Sequence, residues 1–393
     1  MLNRRFFLQG SALLACSAAA HPFMNSVTLA ATPGEARLVV IILRGAMDGL
    51  DVVQPYGDTN LAGLRQNISQ GPEAGALDLD GFYAAHASLA PLMPLWAAGE
   101  LGFAHAVSTP YRDKRSHFDG QDMLEAGTGV DVPAELRRDG WLNRLLQQLP
   151  DARAETAFSV GEKELLVLAG AAPTLSWSPK ATLKVSGQGQ RLLEAIYHDD
   201  PLFREAMAAA GEISGGAMGA PVQIDKGATG AARALAEFAA ARLNEDTRIA
   251  AFSLNGWDTH RSQSALLKGP LERLAEMILT LKAGLGAHWG QTTVLAMTEF
   301  GRTARENGTG GTDHGTGGAM FLAGGAVRGG RVYGSWPGLG ESDLYAGRDL
   351  NPTADVRSYA AWAMRGMFGL ETSTLERAVF PGLDLGRDPG LLL

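Results

Sequence analysis

The sequence Arg-Leu-Val-Val-Ile-Ile-Leu at residues 37–43 is a near-continuous run of apolar, mostly β-branched side chains that ends at Arg44-Gly45. A strand that is apolar at nearly every position buries both faces, which is typical of a parallel sheet with helices on each side. Further strands are predicted at 101–107, 156–160, 248–254, 292–298 and 319–323, and helical periodicity lies at 231–243 and 271–281. Alternating strands and helices predict an α/β domain with a doubly wound, mostly parallel central sheet.

Composition narrows the chemistry that such a domain can carry. The 393 residues have a formal net charge of −8, which argues against a nucleic-acid partner or an anionic membrane surface. The one cysteine, Cys16, excludes a disulfide within the chain and any cysteine-ligated metal cluster. A metal would therefore have to be held by imidazole and oxygen ligands.

The first thirty residues have the pattern of an export signal. Arg4-Arg5-Phe6-Phe7-Leu8 resembles the twin-arginine signal, and a short alanine-rich apolar stretch follows it. We expect residues 1–30 to be removed, residues 36–390 to form a single domain, and the protein to be periplasmic or secreted through the machinery that exports folded proteins. The alternative is a lipid anchor at Cys16. No later apolar run is long enough for a transmembrane segment.

Polar residues follow the predicted strands at the point where each strand ends. Five segments far apart in the sequence share this placement: Arg44–Asp51, Arg115–Asp119, Asn255–His260, Glu299–Thr303 and, ahead of the strand at 319, Gly311–Gly315. Because the carboxyl ends of parallel strands meet at one edge of a sheet, we expect these side chains to converge there.

The side chains in these segments suit a divalent metal. Asp258 and His260 are two residues apart, so both can face one ion, and Asp313 with His314 could complete the site. Carboxylate and imidazole ligands favour Zn or Mn, whereas an all-oxygen set would favour Mg or Ca. Ser116 precedes a helical run and is the candidate nucleophile, with helix capping as its alternative role. Arg302 could clamp a phosphate or sulfate group, or form a salt bridge.

The joint pattern resembles a known family. Leu43–Leu50, Arg115-Ser116-His117-Phe118, Gly256–His260, Glu299–Thr303, Thr312–Gly315, Gly347–Leu350 and Pro352–Arg357 occur together and in this order. Over residues 36–385 the chain is similar to the DUF1501 family of exported bacterial proteins, within the alkaline phosphatase-like superfamily of phosphatases and sulfatases. The resemblance implies the three-layer sandwich of that superfamily, with a metal ligand at Asp48 and the nucleophile at Ser116.

The resemblance leaves two alignments open at its last step. By letters, Asp313-His314-Gly315 matches the Asp-His-Gly motif of the superfamily. By position, Glu299-Phe300-Gly301 follows the penultimate strand and takes that place, which makes His314 the final lone histidine. We favour the second alignment because no histidine follows His314. It implies one subsite of Asp258, His260 and His314, and an oxygen-rich subsite of Asp48, Ser116 and Glu299.

These expectations give two hypotheses. The first is an exported, metal-dependent hydrolase of a phosphate or sulfate ester, acting on a small anionic or glycan-linked substrate. The second is a non-catalytic binding or scaffold protein on the same fold, suggested by Phe300 at a histidine position and by the Asp-x-His spacing of Asp258 and His260. His117 could be reactive or simply packed, and we favour packing.

Overall fold

In the computed structural model, the described residues are 35–68, 70–130, 132, 139–150, 152–153, 156–160, 165–177 and 228–393. Their strands are β1 (Arg37–Arg44), β2 (Val53–Gln54), β3 (Leu77–Asp78), β4 (Ala84–Ala85), β5 (Leu101–Ser108), β6 (Ala157–Val160), β7 (Leu175–Trp177), β8 (Ile249–Asn255), β9 (Thr292–Thr298), β10 (Gly318–Ala323), β11 (Val332–Tyr333) and β12 (Ala354–Asp355). The leader predicted at 1–30 and the alternative anchor at Cys16 lie outside these residues.

The α-helices are α1 (Gly49–Val52), α2 (Asn60–Leu64), α3 (Met93–Ala97), α4 (His117–Ala126), α5 (Trp141–Leu146), α6 (Ala228–Leu243), α7 (Gln263–Leu266), α8 (Lys268–Leu285), α9 (Val356–Phe368) and α10 (Thr372–Thr374). Four 3₁₀ helices (Pro72–Ala74, Ala87–Leu92, Leu166–Leu168, Gly286–Gln291) and a π-helix (Leu375–Val379) complete the set. None of the helices in the described ranges is both long and apolar enough to cross a membrane.

The chain is a mixed α/β protein with a mostly parallel central sheet. The nine-stranded sheet has the order β11-β5-β10-β9-β1-β8-β6-β7, with β12 paired to β5, and β2, β4 and β3 form a small antiparallel sheet. β1 lies in the interior of the large sheet, between β8 and β9 and parallel to both. This confirms the central, doubly buried strand that the apolar run at 37–43 predicts.

The two faces of β1 pack into different apolar clusters. Val39, Ile41 and Leu43 face a cluster that includes α6 and α8, whereas the alternate residues Leu38, Val40 and Ile42 face one that includes α5 and α9. Residues at successive positions of a strand point to opposite sides of the sheet. A strand covered on both sides therefore needs apolar residues at every position.

β10 is antiparallel to its two neighbours, and this direction brings the loop before it to the edge where the other strands end. β10 is antiparallel to both β5 and β9, so β5 and β9 run the same way. The loop before β10, which carries His314, therefore lies at the same edge as the loops that follow β1, β5, β8 and β9. Backbone contacts support this placement, because Gly301 N donates to Thr316 O at 3.0 Å and Thr312 N to Thr259 O at 3.2 Å.

His105 in β5 gives a prediction about stability. Its ring is buried against Tyr83 with centroids 5.4 Å apart, and its Nε2 lies 2.9 Å from Val53 O. Burial lowers the pKa of His105 to about 4. Below pH 6.5, His105 therefore binds a proton in the unfolded chain but stays neutral in the folded chain. The free energy of unfolding then falls as the pH drops toward and through 4.

We expect this residue to contribute on the order of 3 kcal/mol to the loss of unfolding free energy between pH 7 and pH 4. Urea unfolding of the parent chain and of His105→Gln across this range measures the contribution as the difference between the two slopes. Equal slopes in the two chains would contradict it.

Candidate metal site

Three histidines and one aspartate converge at the edge of the sheet. Within the described part of the chain, the one group of three or more possible ligands with all atoms within 4.8 Å of one another is His117, Asp258 and His314. His260 adjoins it, with its Nε2 2.9 Å from His314 Nε2 and 3.1 Å from Asp258 Oδ1. The Nε2 atoms of His117 and His314 each lie 3.4 Å from an oxygen of Asp258. The site is partly open, with 46% of the Asp258 side chain exposed.

Each of these histidines has its Nδ1 against an acceptor. His117 Nδ1 lies 2.7 Å from Glu299 Oε1, His314 Nδ1 lies 2.8 Å from Arg115 O, and His260 Nδ1 lies 3.3 Å from Asp313 Oδ1. Carbonyl and ionised carboxylate oxygens only accept, so each Nδ1 donates its proton. In each neutral ring, Nε2 then carries a lone pair. A histidine that binds a metal through Nε2 has this tautomer, which the hydrogen bond at Nδ1 fixes.

The Nε2 lone pairs of the three histidines face one another without a proton between them, and a bound cation would satisfy them. His260 Nε2 and His314 Nε2 stand 2.9 Å apart, and neither neutral ring has a proton to place between them. His117 Nε2 is buried and has no hydrogen-bond partner among the described residues. Two nitrogen ligands of one tetrahedral zinc ion stand about 3.3 Å apart, a spacing close to those within this group. The residues present therefore fit a divalent metal.

Glu299 lies behind His117 and is fully buried. Its Oε1 accepts from His117 Nδ1, from Gly45 N at 2.9 Å and from Gln121 Nε2 at 3.1 Å. Burial favours its protonated form, but the hydrogen bonds from His117 and Gln121 hold the pKa of Glu299 below its ordinary value. The same hydrogen bond raises the pKa of His117 despite the opposing effect of burial. Glu299, a predicted metal ligand, therefore orients His117 through this hydrogen bond.

Phe300, the next residue, is buried and stacks on the His117 ring with centroids 5.3 Å apart and planes at 20°. It packs similarly on Tyr111, at 6.0 Å and 19°. Where the second alignment expected a histidine of the superfamily, the chain therefore has an aromatic wall that fixes the orientation of His117.

Arg302 is buried beneath the site and holds Asp258. Its Nη2 donates to Asp258 Oδ1 at 2.5 Å. Burial of Asp258 favours the protonated form, but this hydrogen bond, the charge of Arg302 and the nearby His117 and His260 together lower the pKa of the carboxyl. Arg302 also donates to four carbonyls: from Nη2 to Gly45 and Trp257, from Nε to Ala46 and from Nη1 to Thr312. Arg302 is 1% exposed, so it joins three loops from below and presents Asp258 to the site.

Asp48 is fully buried in a separate polar network. Arg65 Nη1 and Nη2 donate to its two oxygens at 2.7 and 3.1 Å, and Gln263 Nε2 donates to Oδ2 at 2.6 Å. Gln263 also donates to Asp51 and accepts from Thr259 and Thr312, the residues beside His260 and Asp313. Burial raises the pKa of Asp48, but the charge of Arg65 and the hydrogen bonds from Arg65 and Gln263 together lower it below its ordinary value. The predicted ligand Asp48 thus braces the loops of the site.

Two other predicted residues lie at the rim. Ser116 caps α4, and its Oγ accepts from Asp119 N at a long 3.4 Å, which leaves the hydroxyl loosely held. Asp313 accepts from His260 Nδ1 and from Asn307 Nδ2 at 3.1 Å. The hydrogen bond from Asn307 is the main cause that lowers its pKa. Asp313 therefore orients His260.

The sequence pattern favours packing for His117 and does not include it among the candidate ligands, whereas the structure places its Nε2 beside Asp258. A signal existed: His117 directly follows Ser116 at the start of a helix that comes after β5. A histidine in the first turn of α4 shares the strand-end placement that singled out the other residues.

Comparison with solved structures finds distant likenesses. One is the integral membrane lipooligosaccharide phosphoethanolamine transferase A (EptA) from Neisseria meningitidis, at 9% identity and a TM-score of 0.37, covering 86% of this chain and 55% of the transferase. This chain thus spans about half the length of that protein. Another is a protein in the alkaline phosphatase superfamily from Vibrio parahaemolyticus, at 10% identity and a TM-score of 0.41, covering 90% of this chain and 73% of that one.

No curated protein matches the sequence. A family model described as "Protein of unknown function (DUF1501)" matches residues 81–376, about three quarters of the chain. The match spans α4, β8, β9 and the loop before β10, and so includes the four residues that converge. The chain belongs to the DUF1501 family.

Proposed function

We propose that the protein is an exported, metal-dependent hydrolase of phosphate or sulfate esters, built on the three-layer, doubly wound sandwich of the alkaline phosphatase-like superfamily. The observation that carries the proposal is the convergence of three Nε2 atoms on Asp258, each ring fixed through its Nδ1. His117, His260, His314 and Asp258 would hold Zn or Mn, with Mg or Ca as the alternatives. The bound cation would supply positive charge for the oxygens of the ester in the transition state.

Ser116 is the proposed nucleophile, since it adjoins His117 at the start of α4 and its hydroxyl is only loosely held. Its Oγ would form a bond to phosphorus or sulfur while the bond from that atom to the ester oxygen breaks. The serine proton passes to water and the leaving alkoxide takes up a proton. Attack by water on the seryl ester then releases phosphate or sulfate and restores Ser116.

The test is turnover of a panel of phosphate and sulfate esters by the protein loaded with Zn or Mn. Ser116→Asn is the informative variant, because asparagine caps a helix as well as serine does but has no hydroxyl. We expect kcat to fall roughly 10³-fold in Ser116→Asn. Ser116→Thr, which keeps the hydroxyl and the cap, is the matched control and should retain more turnover.

Turnover that survives in Ser116→Asn would show that Ser116 only caps α4 and would reject it as the nucleophile. Absence of turnover for every ester, with metal bound, would favour the alternative of a binding or scaffold protein. The buried Phe300 beside His117 is the feature that supports this second candidate, because it stands where a further ligand is expected.

A further inference from the structure

A cleft of about 700 Å³ opens beside the candidate metal site. Three segments form its walls: the region of α2, residues 303–307 with Asp313, and residues 339–348. Two of its lining residues also contact the site. Asp313 accepts from His260 Nδ1, and Arg348 Nη1 donates to His314 O at 2.9 Å. A substrate whose ester lies at the metal site therefore has this cleft within reach for its remaining part.

The walls of the cleft are tied together. Asp58, next to α2, accepts from Trp336 Nε1 and from Leu339 N, both at 3.0 Å. The Glu306 carboxylate accepts from Asn67 N and Ile68 N at 3.0 Å. A cleft that is already formed binds its ligand with a smaller loss of conformational entropy.

The lining combines opposite charges over an apolar floor. Arg305 is exposed, and its guanidinium makes one hydrogen bond to the described residues, a long 3.4 Å contact to Gly63 O; no described residue forms an ion pair with it. Glu341 is exposed at the rim, and Leu64 and Leu339 are buried beneath. The cleft thus offers donors and acceptors together.

We propose that this cleft binds a neutral, polyhydroxylated group, so that the substrate of the proposed hydrolase is a phosphate or sulfate ester of a sugar or polyol. A hydroxyl both donates and accepts, so it can bind Arg305 and Glu341 alike. A second anionic group would meet the carboxylates of Asp313 and Glu341, and an apolar group would leave the charged side chains without partners. The C–H face of a sugar ring suits the leucine floor. This inference rests on the proposed function.

The test compares kcat/KM for two esters that differ at one carbon: glycerol 2-phosphate and 2-phosphoglycerate, in which a carboxylate replaces one hydroxymethyl group. Glucose 6-phosphate and phenyl phosphate extend the series to a sugar and to an apolar alcohol. We expect the two hydroxylated esters to be preferred. Of these, preference for glucose 6-phosphate would indicate a sugar site and preference for glycerol 2-phosphate a smaller polyol site. Preference for 2-phosphoglycerate or phenyl phosphate would overturn the inference.

Two variants test whether the preference for hydroxylated esters depends on the cleft. In Arg305→Ala and in Glu341→Gln, the ratio of kcat/KM for glucose 6-phosphate to that for phenyl phosphate should fall about tenfold, because each variant removes a hydrogen bond to a charged group. Glu371→Gln removes another exposed carboxylate that lies outside the cleft and should leave the ratio unchanged. An unchanged ratio in both cleft variants would contradict the proposal.

Saturation-transfer NMR with free glucose separates failure of this inference from failure of the proposed function. Binding of glucose that Arg305→Ala abolishes would support the cleft even if no ester is turned over. Ester turnover with neither glucose binding nor a preference for hydroxylated esters would leave the hydrolase standing and reject the cleft as its polyol site.

Discussion

Asp258→Asn is expected to weaken metal binding strongly. Asp258 is the residue toward which His117, His260 and His314 converge, with Nε2 to carboxylate distances of 3.1–3.4 Å. Asparagine keeps the shape of the side chain and an oxygen for Arg302, but it loses the negative charge that would offset a divalent cation. Because loss of an outer partner already costs 10- to 100-fold in metal affinity, we expect loss of this ligand to cost at least about 100-fold.

The measurement is the metal content of the purified protein, followed by titration of the metal-free chain with Zn and Mn. Asp122→Asn is the matched control, since it makes the same charge change on the exposed face of α4. Equal metal content in Asp258→Asn and the parent chain would reject the metal site. Loss of metal in both variants would point to general electrostatics in place of a ligand.

The fold of the chain follows closely from local sequence patterns. The apolar run at 37–43 predicts β1 as a buried strand, and the strand predicted at 292–298 matches β9 at both ends. These features depend on periodicity and on residue types within one segment, so they can be seen in the sequence alone. The reversed direction of β10 could not be seen, because it depends on which strands it pairs with, and β5 is more than two hundred residues away.

The sequence is sufficient to predict which loops form the site, but not which side chains contact one another there. The strand-end rule and the resemblance together selected Asp258, His260 and His314, which the structure brings together. Asp48 and Glu299 have the same strand-end placement, yet their oxygens accept hydrogen bonds from Arg65 and His117. Whether a buried carboxylate faces a cation site or an arginine depends on tertiary contacts that no local pattern encodes.

Arg302 carries the largest expected effect on stability. The sequence leaves two roles open for it, an anion clamp or a salt-bridge partner, and the structure has an ion pair between Arg302 and Asp258. In the structure its guanidinium is buried and binds carbonyls on three loops, at 2.6 Å to Gly45 O, 2.7 Å to Ala46 O, 3.1 Å to Thr312 O and 3.3 Å to Trp257 O. The candidate site therefore depends on Arg302 for its shape.

Arg302→Met is accordingly expected to lower the free energy of unfolding by about 3–5 kcal/mol, because methionine fills the volume but leaves buried carbonyls and Asp258 without their donor. Urea unfolding of the metal-free chains measures this effect without a contribution from metal binding. Arg305→Met, three residues away at an exposed position, should stay within about 0.5 kcal/mol of the parent chain. A loss below about 1 kcal/mol in Arg302→Met would contradict this prediction and show that the loops hold their arrangement without the guanidinium.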